Sequence, residues 1–403
     1  MRLPNKKQCL LLLGALLLGF LIWLPCLHLF FKPDINAYLC GTQKGIPVMT
    51  GKIASRHLRL WENPDEKNAD IQKMRAINGE WDFMGRTFLV LSLANMALRE
   101  TEKSEYYIKI IDRIIADTLR VEREKGMYYF LLPYARARDF ITKPPRSIFI
   151  DGEIALMLAS RRLLKEDIQY KKMMTARIIQ MLKQMRESPI LAAESYPDEC
   201  WLFCNSIAVA AVKIGEVLDA NGNEKFIEDW LKSIKAHLVD QKTGLLCSAY
   251  GVNGSIREGP EGSSIWLVAH CLQLIDKPFA QDQYKRAKKE LACSVLGFGY
   301  AKEWPASYVG PEDVDSGPIV PLIGASAGSS GLAFLGAGAF NDREYFQELL
   351  TSLNYGGFPA EKDGCLIYQA SNQVGDSVLL YSMVVGPLWK RVEELSRKKE
   401  VRP

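Results

Sequence analysis

The sequence predicts an all-α fold, an (α/α)6 toroid of helical hairpins behind an N-terminal transmembrane helix. Three observations carry the prediction. Helical periodicity comes in pairs along the chain. The first helix of each pair is apolar or small-residue nearly all round, as in GASAGSSGLAFLGAGAF, while the second is charged on one face, as in KKMMTARIIQMLKQMRE. A helix apolar on every side is buried, and one with a charged stripe lies outside it. Finally, turns within a pair are short, whereas links between pairs run to roughly 12–26 residues, lengths that in compact domains usually carry function.

The chain begins with Arg2, Lys6 and Lys7 before an apolar run from Cys9 to Phe31. That run is long enough to span a bilayer, and no small-residue cleavage site follows it. Residues 1–35 therefore read as a signal anchor, with a cytoplasmic N-terminus and an extracytoplasmic (periplasmic) body set by the positive flank. Residues 36–69 read as a linker with a short helix at Lys52–Leu60, and 70–403 as the barrel. A long helix is expected over Asp70–Arg99, with Met74, Ile77, Trp81, Met84, Phe88 and Leu91 at helical spacing, followed by Glu105–Val121. The next pairs are Ile148–Leu164 with Glu166–Glu187 and Cys200–Leu218 with Glu224–Leu238. Then come Gly262–Ile275 with Ala280–Leu296, Gly317–Phe340 with Asp342–Leu353, and a last long helix at Gln373–Arg397. A hairpin recurring every roughly 50–70 residues stacks into a solenoid or closes into a ring. Buried inner helices favour the ring, with the Lys52–Leu60 helix completing a sixth pair.

Composition excludes some functions. A net charge of +4 over 403 residues, with no basic stripe interleaved with aromatics, argues against nucleic acid as a partner. The nine cysteines form no disulfide framework: Cys9 and Cys26 lie in the membrane run and the others are scattered through helices. Free thiols are unusual in an oxidising compartment, which stands against the predicted location. Only His28, His57, His237 and His270 exist, at no zinc-ligand spacing, and the D-V-D-S-G stretch lacks the remainder of a calcium loop. No metal and no cofactor is expected. No phosphate-cradling, dinucleotide or nucleophile-elbow motif occurs.

In a toroid the long links gather over the N-termini of the inner helices, a concave end that favours acceptors and anions. Acidic or reactive residues open each inner helix: Glu80 and Asp82, Asp151 and Glu153, Cys200 and Cys204, Glu258 and Glu261, Asp313 and Asp315, and Asp376. For any one of them helix capping is a sufficient reason. Glu153, beside Ile150, Ile154 and Met157, is a candidate acid with a raised pKa. Glu261, between Pro260 and Gly262 and before Ser263 and Ser264, is a second. Cys204, one turn into a helix with Cys200 on the same face, is a candidate thiol. Aromatics including Tyr128, Tyr134, Tyr196, Trp201, Trp304 and Tyr368 crowd the same links and suit a sugar or a terpene-like chain.

The stretch E-S-Y-P-D-E-C-W-L-F-C-N-S-I-A resembles the central segment of the linalool dehydratase/isomerase family. Glu228-Asp229-Trp230-Leu231, Leu238-Val239-Asp240, Thr243-Gly244, the helix with Trp266 and the D-V-D-S-G segment extend the likeness over roughly Ser147 to Phe340. The resemblance implies an (α/α)6 barrel and a cofactor-free enzyme that removes or adds water by paired acid and base groups. Cys204 matches the second cysteine of the family, while Ser195 stands where the first would be, Glu153 where its histidine would be and Gly262 where a tyrosine would be. Asp313 and Asp315 align with acidic positions.

The reading that follows is a membrane-anchored lyase or isomerase acting on a small alcohol. Glu153 and Cys204 would be its acid–base pair, and Asp315 or Glu261 the second carboxylate. Asp151, Ser195, Tyr196, Asp198, Trp201, Asn205, Trp266, Trp304 and Asp313 would bind the substrate. Two alternatives stand beside it: a glycan-acting toroid enzyme with two carboxylates, and a non-catalytic envelope protein whose acids only cap helices. The partners expected are a small-molecule or glycan substrate and the membrane, and a homo-oligomer is compatible with the sequence.

Overall fold

In the computed structural model, which describes residues 5–41, 44–311, 313–314 and 316–400, the chain opens on α1 (Lys6–Cys26). None of its residues is buried, and Asn5 and Gln8 form a capping box at its start. With the turns that follow, the helix forms a stretch, Lys6–Ala37, whose most apolar 18-residue window has a mean hydropathy of 2.6, long and apolar enough to cross a membrane. Two helices, α2 (Val48–Glu62) and α3 (Pro64–Ile77), lead to the hairpins. These are α4 (Gly79–Arg99) with α5 (Ser104–Lys125), α6 (Ile148–Leu164) with α7 (Ile168–Glu187), and α8 (Leu202–Asp219) with α9 (Glu224–His237). Then follow α10 (Gly262–Leu272) with α11 (Lys277–Leu291), α12 (Ala327–Ala339) with α13 (Arg343–Gly356), and finally α14 (Gln373–Val384) and α15 (Pro387–Glu400).

The fold is the predicted (α/α)6 toroid. α4, α6, α8, α10, α12 and α14 each pack on the next, and α14 closes back on α4. Their composition allows this. A Cβ on Gly152 would lie 3.1 Å from the Ala208 methyl, and one on Gly338 would lie 2.2 Å from the Ser382 carbonyl oxygen. α6 therefore approaches α8, and α12 approaches α14, more closely than larger side chains permit. α6 buries every residue from Ile148 to Leu163. The outer helices bury one stripe only; in α9 this is Phe226, Ile227, Trp230 and Ile234. The outer partner of α14 is α2, which turns Ile53, Ala54, His57 and Trp61 inward. The stretch 36–69, expected as a linker with a short helix at Lys52–Leu60 completing a sixth pair, carries the longer helix α2 in that outer place.

Several boundaries differ from the sequence expectation, among them the helix expected over Ala280–Leu296, which ends at Leu291. The helix expected over Asp70–Arg99 breaks at Asn78, whose side chain accepts from the Glu80 N–H at 2.8 Å and restarts the helix as α4. Cys200 lies in a strand rather than a helix, so it shares no helical face with Cys204. Gly317 and its neighbours form strand, and the inner helix starts only at Ala327. The last helix breaks at Gly386, at φ 123°, a conformation that favours glycine. α15 then turns under the ring and packs against α4, α6 and α8, closing that end.

Short strands occupy the links that run from an outer helix to the next inner one. β1 (Cys200–Trp201), β2 (Ala249–Tyr250) and β3 (Ile256–Glu258) make one antiparallel sheet. β4 (Ala292–Val295) and β5 (Phe298–Ala301) make a hairpin. β6 (Asp313–Val314), β7 (Gly317–Val320) and β8 (Ala325–Ser326) make a second three-stranded sheet, and β9 (Pro359–Lys362) pairs with β10 (Cys365–Tyr368). Such links sit at the N-terminal ends of the inner helices, so the strands build a collar around one mouth.

Candidate active site

Inside the collar lies a cavity of about 970 Å³. Among the described residues its wall carries five acids, Glu80, Glu199, Glu258, Glu261 and Asp376, against a single basic side chain, Arg257. Between the acids stand Trp81, Phe88, Tyr134, Phe149, Tyr196, Trp201, Phe203, Tyr300 and Phe334, with Ser263, Ser264 and Asn372 as neutral polar groups. Carboxylates and hydroxyls set among flat aromatic faces can hold a molecule with many hydroxyl groups and apolar ring faces.

Glu261 is the N-cap residue of α10. Its backbone N–H donates to Ser248 Oγ at 2.9 Å, and its side chain accepts from Ser264 Oγ at 3.0 Å. It is only 4% exposed. Burial pushes its carboxyl up to about 8, helped by the neighbouring charges of Glu303 and Glu258. It is therefore a protonated acid at neutral pH that still lines the cavity. Behind it, Glu303 is fully buried, accepts from the Ser263 N–H at 2.9 Å through one oxygen, and has no partner for the other among the described residues.

Glu80 opens α4. The Tyr196 hydroxyl donates to it, while the same oxygen accepts from the Leu132 N–H at 2.9 Å. Burial and the Glu80 charge push the Tyr196 phenol far up, so it stays a neutral donor. Tyr134 stacks on Tyr196 at 4.7 Å and donates to Glu199 at 3.2 Å. In the ring order α4 and α10 stand three places apart out of six, so Glu80 and Glu261 come from opposite walls. Asp376, in the first turn of α14, is raised to about 6 by burial, an effect that its partner Arg56 opposes.

The structure distributes the sequence-predicted residues unevenly. Glu261, Cys204, Tyr196 and Trp201 line the cavity. Glu153 does not; it faces a separate void of about 10 Å³ beyond Phe88, accepts from Thr87 Oγ1 at 2.6 Å, and is pushed up to about 8 by burial. The Cys204 thiol is driven well above its ordinary range by burial, with Glu153 and Glu80 adding to the shift, so it is a neutral group rather than a thiolate.

Several expected binding residues are structural instead. Asp151 is fully buried and held by Arg146, Arg177 and Gln180 behind α6. The Asn205 amide grips the backbone of Ala193 with two 2.9 Å bonds. Ser195 is buried, and its hydroxyl accepts from the Trp201 N–H at 3.2 Å. Asp198 pairs with Arg257 at 2.8 Å at the rim. Trp266 is fully buried and donates to Ser329 at 3.3 Å. Trp304 donates to the Pro311 carbonyl at 2.9 Å and does not line the cavity. Asp313 starts β6, and Asp315 lies outside the described residues. No group of three or more potential metal ligands occurs among the described residues.

Sequence reasoning singled out neither the Glu80–Tyr196 contact nor Arg257. The first joins residues from different hairpins, and the second gives no signal in a composition this rich in lysine and arginine. Glu194, which opens the E-S-Y-P-D-E-C stretch, is a brace: its two oxygens accept from the backbones of Ile141, Thr142 and Asp198. It pins the Tyr196 turn in place.

No protein-family profile and no curated protein matches the chain. Among solved structures it is similar to a GH76 alpha-mannanase of Bacteroides thetaiotaomicron, at 12% identity, covering 77% of this chain and 87% of that one, with a TM-score of 0.46. It is also similar to the GH76A alpha-1,6-mannanase of Salegentibacter sp. HEL1_6, at 13% identity, 76% and 89% coverage, and a TM-score of 0.47. A third is the unsaturated glucuronyl hydrolase of Bacillus sp. GL1, at 14% identity, 76% and 86% coverage, and a TM-score of 0.48. At these identities the likeness is one of fold. The resemblance to linalool dehydratase/isomerase is corrected by these findings, and with it the lyase or isomerase reading: no family profile matches the chain, and the solved structures found are mannanases and a glucuronyl hydrolase rather than members of that family. The geometry agrees with the correction: Ser195 is walled off, Cys204 is a neutral thiol, and Glu153 faces away from the main cavity.

Proposed function

We propose that this toroid is a glycan-acting hydrolase, with Glu261 as general acid and Glu80 as general base. The observation that carries the reading is the pair itself: a carboxyl raised to about 8 lining the cavity on α10, and a carboxylate oriented by a tyrosine hydroxyl on α4. Hydrolysis of a glycosidic bond needs two carboxyl groups flanking it. Glu261 gives its proton to the leaving oxygen as the bond to the anomeric carbon breaks. Glu80 takes a proton from the water that attacks that carbon. Trp81, Trp201 and Tyr300 offer flat faces for sugar rings, and the acids and serines of the wall offer partners for hydroxyls. A cavity of about 970 Å³ has room for a short run of sugar units. We read α1 as the anchor that holds the domain at a membrane, with Lys6 and Lys7 on the cytoplasmic side.

The test is release of reducing ends from a panel of polysaccharides and oligosaccharides. Glu261→Gln and Glu80→Gln are each expected to lower the rate by about 100-fold or more while circular dichroism stays unchanged. A panel on which the wild-type chain neither binds nor cleaves any glycan would remove the reading. Full activity in both variants would remove the assignment of the pair.

A further inference from the structure

The foot of α1 rests on the mouth of the toroid. His28 packs edge-on against Phe298 at 6.5 Å, and Phe31 against Tyr355 at 5.0 Å. Asn354 donates to the Phe31 carbonyl at 3.0 Å. Phe298 begins β5 in the collar, and Tyr355 lies in the last turn of α13, an outer helix that ends at the mouth. From there the chain runs down α13. Gln347 donates to the Pro33 carbonyl at 2.9 Å and Arg343 to Asn36 at 2.7 Å, until the Cys40 N–H meets the Met383 carbonyl at 3.2 Å near the closed end. The apolar helix thus leaves the domain from the mouth rim.

The same rim carries exposed apolar side chains. Leu296 caps the β4–β5 turn beside His28, and Leu322 and Ile323 form the β7–β8 turn, with Leu322 fully exposed. Val309, 99% exposed, lies on the same outer-to-inner link, and Phe358, 63% exposed, on the next one. Single exposed apolar residues are ordinary, but several on one rim mark an interaction surface. At the closed end the turns show mostly polar residues to solvent, Glu102, Lys103, Glu166, Asn221 and Asn341, beside the exposed Tyr106 and Ile168 at the starts of α5 and α7.

We propose that the mouth of the toroid is seated on the bilayer that holds α1, with the Leu296 and Leu322 turns entering its interface. The cavity then opens toward the lipid surface, and the glycan it admits is one carried on a membrane lipid. The argument is continuity: the apolar rim adjoins the one helix able to cross a membrane among the described residues. Apolar turns beside such a helix gain by burial in the interface, whereas in water they stay exposed. The docking part rests on the reading of α1 as a membrane span, and the substrate part on the glycan reading.

The full chain is placed in phosphatidylcholine–phosphatidylglycerol nanodiscs containing doxyl-labelled lipid. An environment-sensitive fluorophore is attached at Leu296→Cys, Leu322→Cys or, as a closed-end control, Asn221→Cys, with Cys9, Cys26 and Cys293 replaced by serine. Fluorophore on the natural Cys26 reports α1 itself. Quenching several-fold stronger at 296 and 322 than at 221 is expected. Strong quenching at Cys26 with equal, weak quenching at 296, 322 and 221 would overturn the docking; no quenching at Cys26 would overturn the anchor on which it rests. A second arm compares binding of glycolipids held in the same discs with binding of their free headgroups. At least a 10-fold preference for the embedded form is expected. Equal affinity would overturn the lipid-borne substrate, and binding of neither would overturn the glycan reading while leaving the quenching result to decide the docking.

Discussion

The two ends of the toroid are built from the same helices and behave in opposite ways. At the closed end, charges are matched. Arg162 has a fully buried side chain and places two nitrogens 2.8 Å from the two oxygens of Asp219, with a third on Glu166 at 2.8 Å. Arg161 pairs with Asp112 at 2.7 Å. α15 fills the remaining space: Trp389 stacks on His270 at 4.8 Å and donates to the His270 carbonyl at 3.1 Å. At the mouth the acids outnumber the bases among the described residues of the cavity wall, and two carboxyls, Glu261 and Asp376, are pushed up by burial. A buried acid with no cationic partner among the described residues, as Glu261 is, comes at a cost to folding, so the asymmetry separates the end that holds the fold together from the end that carries the candidate site.

The largest expected effect breaks the mouth alone. Glu261→Gln is expected to lower hydrolysis by about 100- to 10,000-fold with little change in melting temperature. In the wild-type protein kcat/KM should fall as pH rises through about 8, because the acid form of Glu261 is lost there. A profile flat from pH 6 to 9 on a cleaved glycan would show that another group supplies the proton.

The next effects break the closed end alone. Arg162→Leu leaves Asp219 buried with only Lys171, 2.9 Å away, and is expected to cost about 3 kcal/mol. Trp389→Ala opens a void beneath α10 and is expected to cost about 3–5 kcal/mol. Denaturant titration reads both. In either variant the folded fraction should keep the wild-type KM, since neither residue touches the cavity; a changed KM would mean that the two ends are coupled.

The sequence showed the closed end less well than it showed the ring. Inner helices announce themselves because a core helix must be apolar on every side, and outer helices because one face meets water. The plug is invisible to that logic: Gln373–Arg397 reads as one helix until Gly386 turns the chain under the ring. The collar is hidden for a related reason. Strands of two to four residues leave no alternation to detect, so Cys200 and Gly317 read as helix. At the site, the pattern of acids at inner-helix starts was legible, but their division was not. Asp151 and Glu261 occupy similar places in sequence, and only packing shows that Arg146 and Arg177 neutralise the first while Glu303 crowds the second.

Glu153 tests where the boundary between the two ends falls. It sits one layer below the cavity, and its carboxyl is raised to about 8 chiefly by burial, while Thr87 opposes the shift and Glu80 adds to it. An unfolded glutamate titrates near 4.5. Between those values the folded state holds a proton that the unfolded state has lost, so stability falls as pH rises, by up to about 1.4 kcal/mol per pH unit for this group. Glu153→Gln keeps the size and a hydrogen-bond acceptor for Thr87 while removing the titration. The variant is expected to lose less stability than the wild type between pH 5 and 8, and to keep glycan hydrolysis within about 10-fold, since a group outside the cavity touches no reacting atom. Melting curves at four pH values and the rate at pH 7 decide it. An unchanged pH slope together with a collapse in rate would move Glu153 from the packing of the ring into the chemistry of the mouth.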